Sequence, residues 1–209
     1  MTSTTPTSRK IDDVTRRAAA NAVETVKLTN VRLCSANVFE PVAIGGSEAL
    51  RYRAEIVIPL DDPAWEAVAE DVIGKIQQVW RLATGSEDFP EHNMISRGDD
   101  KRGRDGKPVP GLQNTIIISA SNVDMPTIVG EAGEIVRGDD GSIYGGATVF
   151  AILRFYAMVT GTRPGVYAEL CALKHLKHGQ SLGFARHAVQ RKITIADFDD
   201  GKALGAGLS

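Results

Sequence analysis

Tyr144-Gly145-Gly146-Ala147-Thr148-Val149-Phe150-Ala151-Ile152-Leu153-Arg154-Phe155-Tyr156 presents two different faces, and the reading of those faces decides the fold. Successive side chains of an extended strand point to opposite sides. One side of this stretch carries Ala147, Val149, Ala151, Leu153 and Phe155, wholly apolar, as the wall of a small closed barrel or sandwich requires. The other carries Tyr144, Thr148, Phe150, Ile152, Arg154 and Tyr156. Aromatic rings interleaved with a cation on a partly open sheet face form a platform for unstacked bases, with arginine adding attraction for phosphate. The same pattern also fits a strand buried on both sides whose Tyr and Arg ends reach water.

Outward from that strand, Gly161-Thr162-Arg163-Pro164-Gly165 reads as a tight connection with a cation at its tip. The run Val166 to Leu176 then puts Val166, Ala168, Leu170, Ala172 and Leu176 inward, which makes the pair a hairpin. Lys174, His175, Lys177 and His178 gather at its far end. The two histidines have H-x-x-H spacing, but on a strand they point to alternate sides and no carboxylate accompanies them, so zinc is not expected. Upstream, Lys27 to Phe39 alternates with Leu28, Val31, Leu33 and Val38 apolar and predicts a first strand bending before Glu40-Pro41. Arg51 to Ile58 sets Tyr52, Ala54, Ile56 and Ile58 against Arg51, Arg53 and Glu55, a half-buried strand whose outward arginines are candidate phosphate contacts. Thr115 to Ser121 is a further strand, with Ile116, Ile118 and Ala120 inward.

One helix is predicted. Asp61-Asp62-Pro63 supplies a carboxylate cap followed by a residue that needs no amide donor in the first turn, and the helix should run to about Ala83. Trp65, Val68, Val72, Ile76, Val79 and Ala83 form its apolar stripe, and both tryptophans, Trp65 and Trp80, read as core packing. Between Thr84 and Gly111 lies a long loop rich in Gly, Pro and charge, with cations Arg97, Lys101, Arg102, Arg104 and Lys107 partly offset by aspartates. Its Asp spacing does not match a calcium loop.

The 209 residues suffice for one domain and carry a net charge of −2, so the chain is not basic overall. The charge is unevenly spread, however. From Arg154 to Lys192 there are seven cations (Arg154, Arg163, Lys174, Lys177, Arg186, Arg191, Lys192) against Glu169 alone, a basic block that begins inside the opening strand. No apolar run approaches the roughly 20 residues that span a bilayer, and the Thr- and Ser-rich N-terminus lacks the apolar core of a secretory signal. Cys34 and Cys171 lie in apolar strand contexts and are expected to be reduced structural thiols. Nucleophile elbow, phosphate-cradling glycine loop and dinucleotide fingerprint are all missing.

Taken together, the chain resembles the tailed-phage single-stranded DNA-binding proteins with an OB fold, formerly a domain-of-unknown-function family. The resemblance runs from about Leu28 to Asp200. It rests on Leu28-Thr29-Asn30-Val31-Arg32-Leu33 with Val38-Phe39-Glu40-Pro41, on Arg51 through Asp62, on Arg104-Asp105-Gly106, on Ile116 to Ala120, and on Ile143-Tyr144-Gly145-Gly146. Its last elements are Gly165-Val166-Tyr167-Ala168-Glu169-Leu170 and Gly179-Gln180-Ser181-Leu182-Gly183. The resemblance implies a mainly β, five-stranded OB-type barrel with one packed helix and long loops. It also implies sequence-independent binding of single-stranded DNA in phage replication and recombination, without catalysis, cofactor or metal, in the cytoplasm of an infected bacterium.

The expected organisation is a flexible arm over residues 1–26, the binding domain over 27–196, and a flexible tail over 197–209. Relatives end in an acidic tail with an aromatic residue that competes with DNA and recruits replication proteins; here Asp197-Phe198-Asp199-Asp200 is short and is followed by Gly201 to Ser209. A homodimer is a further expected partner. The expected interface comprises Tyr144, Phe150, Arg154 and Tyr156 for stacking and cation contacts, and Arg51, Arg53, Arg163, Lys174 and Lys177 along phosphates. Loop cations Arg97, Lys101, Arg102, Arg104 and Lys107 form a second tier. Two other classes compete with this reading: a divalent-metal-dependent nuclease, whose scattered acids would converge only in space, and a non-enzymatic phage structural protein.

Overall fold

The computed structural model describes residues 22–43, 49–103 and 105–182. The expected tail at 197–209, most of the expected arm, and loop cation Arg104 lie outside the described residues.

Alternating apolar positions produce five long strands: β1 (Val23–Ala43), β2 (Leu50–Pro59), β5 (Thr115–Asn122), β8 (Thr148–Met158) and β9 (Gly165–Lys177). Short strands β3 (His92–Asn93), β4 (Ile95–Arg97), β6 (Thr127–Val129) and β7 (Ile135–Val136) attach to them. The long strands run in the order β5-β2-β1-β8-β9, and β9 returns to β5 in parallel, with Ala168 opposite Ala120. That closed Greek-key arrangement is the OB barrel, which leaves no free edge among its five strands.

Closure depends on bending β1. Its pairing shifts register between Leu28 and Val31, where Asn30 adopts a left-handed φ of 58°, a conformation asparagine tolerates better than most residues. The first half of β1 therefore pairs with β8 and the second half with β2. All four apolar positions expected on it, Leu28, Val31, Leu33 and Val38, are buried. The strand is longer than the sequence suggests, beginning at Val23 and continuing past Pro41.

The inner side of β8 is as expected: Val149, Ala151, Leu153 and Phe155 are completely buried and join Ile56, Ile58, Ile118 and Leu170 in the barrel core, and Ala147 just before the strand is completely buried too. Helix α1 (Pro63–Thr84) packs onto this core with Ala69, Val72, Ile76, Val79 and Ala83, and Trp65 and Trp80 pack against it. Its start is the expected cap, with the Asp62 carboxylate accepting from the Ala64 amide at 2.8 Å, and it stops at Gly85 in the left-handed region. No helix of the described residues is long and apolar enough to cross a membrane.

A second, smaller core lies outside the barrel. Val109 and Leu112 of the long loop pack with Cys34, Val57, Ile117 and Leu182, so the outer face of β2 is covered along its second half. Gly98 permits this closeness, since a Cβ there would stand 2.0 Å from Thr115 Oγ1 and 2.1 Å from the Leu112 carbonyl oxygen.

Three local expectations change. Tyr144 precedes β8 in a turn rather than lying on its open face. β9 carries extra residues at Cys171 and Leu176, because Ile152 and Leu153 pair with Ala172 and Leu170, and Thr148 and Val149 with Lys177 and His175. The bulge at Cys171 reverses the alternation, so Leu173 and His175 point inward in place of Ala172 and Leu176. The β6–β7 hairpin was not anticipated; its strands of three and two residues are too short for a periodic signal.

Candidate nucleic-acid interface

Residues directly opposite across strands share a face, so the register of β1, β8 and β9 defines a ladder of outward side chains. Its rungs are Val23–Tyr156–Tyr167, Thr25–Arg154–Glu169, Lys27–Ile152–Ala172, Phe150–Lys174 and Arg32–Thr148–Lys177. Rungs two residues apart along a strand stand roughly 7 Å apart. The inward neighbours Ala151, Leu153 and Phe155 are buried, whereas Phe150, Ile152 and Tyr156 are half-buried and Arg154 is exposed.

At one end of the ladder two rings meet: Tyr156 and Tyr167 have centroids 6.1 Å apart, tilted by 31°. The Tyr167 hydroxyl donates to the Arg163 carbonyl oxygen at 2.6 Å, which fixes the β8–β9 connection against the ring and leaves the Arg163 side chain exposed. Burial pushes the Tyr156 phenol up, against the pull of the nearby Arg51 charge, so the ring is neutral at physiological pH. Arg51 is held by its Nε donating to Ser121 Oγ at 3.1 Å. Arg154 is bound to Glu169 through both Nε and Nη2.

Arg53 is committed differently. Its guanidinium pairs with Glu55, which is only 3 % exposed and also accepts from Lys101 Nζ at 2.7 Å and Ser35 Oγ at 2.9 Å. Burial pushes the Glu55 carboxyl up, but the Lys101 hydrogen bond and the Arg53 and Lys101 charges outweigh it and hold it below the usual range. Beneath it, burial and the Glu55 charge push the Cys34 thiol up to about 12, which makes it inert.

Other loop cations lie farther along the chain. Arg97 is exposed and 3.7 Å from Asp99, the Arg102 guanidinium donates to the Asp99 and Lys101 carbonyl oxygens, and Lys107 is exposed. At the opposite end of the ladder, the Tyr144 hydroxyl donates to the Gly179 carbonyl oxygen at 2.9 Å and accepts from its amide at 3.0 Å. The Tyr144 ring stacks on His178 at 5.8 Å, and His178 lies 4.5 Å from His175. The histidines thus come together despite the expected alternation, because Leu176 is bulged out; among the described residues no third metal-ligating group joins them.

The structure therefore collects Phe150, Arg154, Tyr156, Lys174 and Lys177 on one ladder with Arg51 and Arg163 at its aromatic end. It sets Arg53 and Lys101 around Glu55, leaves Arg97 at the end of β4 and Arg102 and Lys107 on the loop beyond it, and gives Tyr144 to the end of β9. Sequence reasoning missed Tyr167, Lys27 and Arg32. Alternation would have found the first two, since Tyr167 lies between inward Val166 and Ala168 and Lys27 precedes inward Leu28. Arg32 is turned aside, donating to the Gln180 carbonyl oxygen at 2.6 Å.

Comparison with known proteins agrees with this architecture. A putative protein p50 of Acyrthosiphon pisum secondary endosymbiont phage 1 is 28% identical over 179 residues, covering 84% of this chain and 92% of that protein. The solved single-stranded DNA-binding protein from bacteriophage Enc34 superposes with a TM-score of 0.63 at 19% identity, over 78% of this chain and 86% of the other. The same phage protein in complex with single-stranded DNA gives 0.62 at 19% identity, over 76% and 89%. The family of the Enterobacter phage Enc34 ssDNA-binding protein matches residues 24–207, and the chain belongs to that family.

Proposed function

We propose that this protein binds single-stranded DNA without sequence preference, coating exposed strands during phage DNA replication and recombination in the cytoplasm of an infected bacterium. The observation that carries the reading is the Tyr156–Tyr167 pair on the open face of an OB barrel, flanked by Arg51 and Arg163. Rings of this kind accept any base, because every base has a π-face, while cations alongside follow the backbone. Phe150, Ile152, Lys174 and Lys177 extend the same path, with Lys27 added to it. Binding is the whole activity in this reading, without a catalytic step or a metal. Self-association as a homodimer and recruitment of replication proteins through Asp197-Phe198-Asp199-Asp200 belong to the same proposal, supported by family membership alone.

Gel-shift titration with single-stranded DNA, duplex DNA and RNA, each with and without magnesium, tests it. Retention of intact single-stranded DNA in preference to duplex is expected, weakening with salt by about 0.7 in the log–log slope for each phosphate neutralised. Degradation of the strand on adding magnesium would favour a nuclease instead. Indifference to all three nucleic acids would favour a structural component.

A further inference from the structure

Arg154 stands at the centre of the ladder, yet its Nε and Nη2 are already engaged by a carboxylate. Its Nε donates to Glu169 Oε2 at 2.6 Å, and Nη2 bonds to the same oxygen. The other oxygen, Oε1, accepts from Asn122 Nδ2 at 3.1 Å, and that amide also reaches the Leu170 carbonyl oxygen at 3.2 Å. The carboxylate is thus gripped from β5 on one side and β8 on the other, across the seam where Ala120 and Ala168 close the barrel. A phosphate reaching the remaining N–H groups of Arg154 would meet the Glu169 carboxylate beside it, an anion facing a polyanion.

The charge of Arg154 is therefore cancelled locally, and such a group has little counterion to release on binding a phosphate chain. What it still offers is the plane of its guanidinium. Its side chain is 50% exposed and stands one rung from the Tyr156–Tyr167 pair, on the same face. Guanidinium planes stack on bases much as aromatic rings do, whereas a lysine ammonium has no such plane.

From this geometry we infer that Arg154 is a base-stacking surface, the third plane after Tyr167 and Tyr156, and that Glu169 is the positioning residue that keeps it from acting as a phosphate ligand. Its ligand is an unstacked base of any identity, and the inference rests on the single-strand-binding reading above. Asn122 belongs to the same device, because it fixes the carboxylate that fixes the arginine.

Anisotropy titrations of a fluorescent oligothymidine over about 50 to 200 mM salt, with wild type, R154A, R154K and E169Q, test the assignment. R154A and R154K should each bind about tenfold more weakly at every salt concentration, with the wild-type slope. E169Q should steepen the slope by about 0.7 as the released Arg154 turns to phosphate. R154K retains the ion pair with Glu169, so it decides the matter if R154A melts early by circular dichroism. Binding by R154K within about twofold of wild type, or a slope in R154A shallower by about 0.7, makes Arg154 a phosphate ligand and overturns the stacking role. An unchanged slope in E169Q overturns the positioning role. A wild-type protein that leaves the oligothymidine free overturns the single-strand reading itself and this inference with it.

Discussion

Lys101 Nζ lies 2.7 Å from Glu55 Oε1, so a residue of the long loop is ion-paired to a carboxylate buried on the outer side of β2. Together with Val109 and Leu112 on Cys34, Val57 and Ile117, this contact holds the loop onto the barrel. The pair also shows why sequence charge alone misleads: two of the cations expected to meet phosphate, Arg53 and Lys101, share a single internal anion.

Replacing Lys101 by Met should destabilise the fold by about 1–2 kcal/mol, since Glu55 keeps Arg53 and Ser35 and is not stranded as a fully unpaired buried charge would be. Amide hydrogen exchange between Gly98 and Leu112 should accelerate in the variant while the β8–β9 hairpin stays protected. Its oligonucleotide affinity should change little, with the salt slope retained. A slope shallower by about 0.7 would put Lys101 among the direct phosphate contacts.

Tyr156 and Tyr167 touch, so their contributions to binding should not add. Each change to Ala should cost about 1–3 kcal/mol in affinity for single-stranded DNA, and the double variant less than the sum of the two. Fluorescence titration of the three variants, checked for folding by circular dichroism, measures this. Wild-type affinity in a folded Tyr167→Ala variant would remove that ring from the interface.

Tyr144 gives a contrasting expectation. Its hydroxyl serves both the amide and the carbonyl oxygen of Gly179, so Tyr144→Phe should lower stability by about 1–2 kcal/mol through the two lost hydrogen bonds. Affinity for the oligonucleotide should remain within about twofold, because the ring stays on His178. A large loss of affinity without loss of stability would return Tyr144 to the stacking set.

The opening strand was legible because alternation is a property of one strand by itself: Ala147 to Phe155 reads as a wall, and it is one. The cap at Asp62 and the stripe of α1 are local for the same reason. Alternation lost the count at the bulge of β9, where the extra residue at Cys171 exchanges Ala172 and Leu176 for Leu173 and His175. Nor could it reveal the two acids of the candidate interface. Glu55 looks like an exposed strand residue until the loop from Gly98 to Leu112 folds over it, and Glu169 meets Asn122 only when the barrel closes. These contacts join residues 46 and 47 positions apart, beyond the reach of any periodic pattern.

His175 provides a pH-dependent prediction. It is 2% exposed, and no group among the described residues hydrogen-bonds its Nε2. Burial, reinforced by the neighbouring His178, pushes its pKa below the ordinary 6.5, against the opposing pull of Glu131 and Asp140. The folded protein therefore holds a neutral imidazole where the unfolded chain takes up a proton as pH falls through 6.5. By linkage the contribution of His175 is fully present above that pH and declines progressively between 6.5 and the depressed folded value. Denaturant midpoints measured from pH 8 down to pH 5 should fall in the wild type, and the fall should be smaller in His175→Leu, which cannot take up the proton. The carboxylate of Glu55, held below its ordinary 4.5, adds stability whose loss begins only at lower pH than that of His175. Equal slopes for wild type and His175→Leu between pH 7 and pH 5 would mean that the imidazole is not held neutral by the fold.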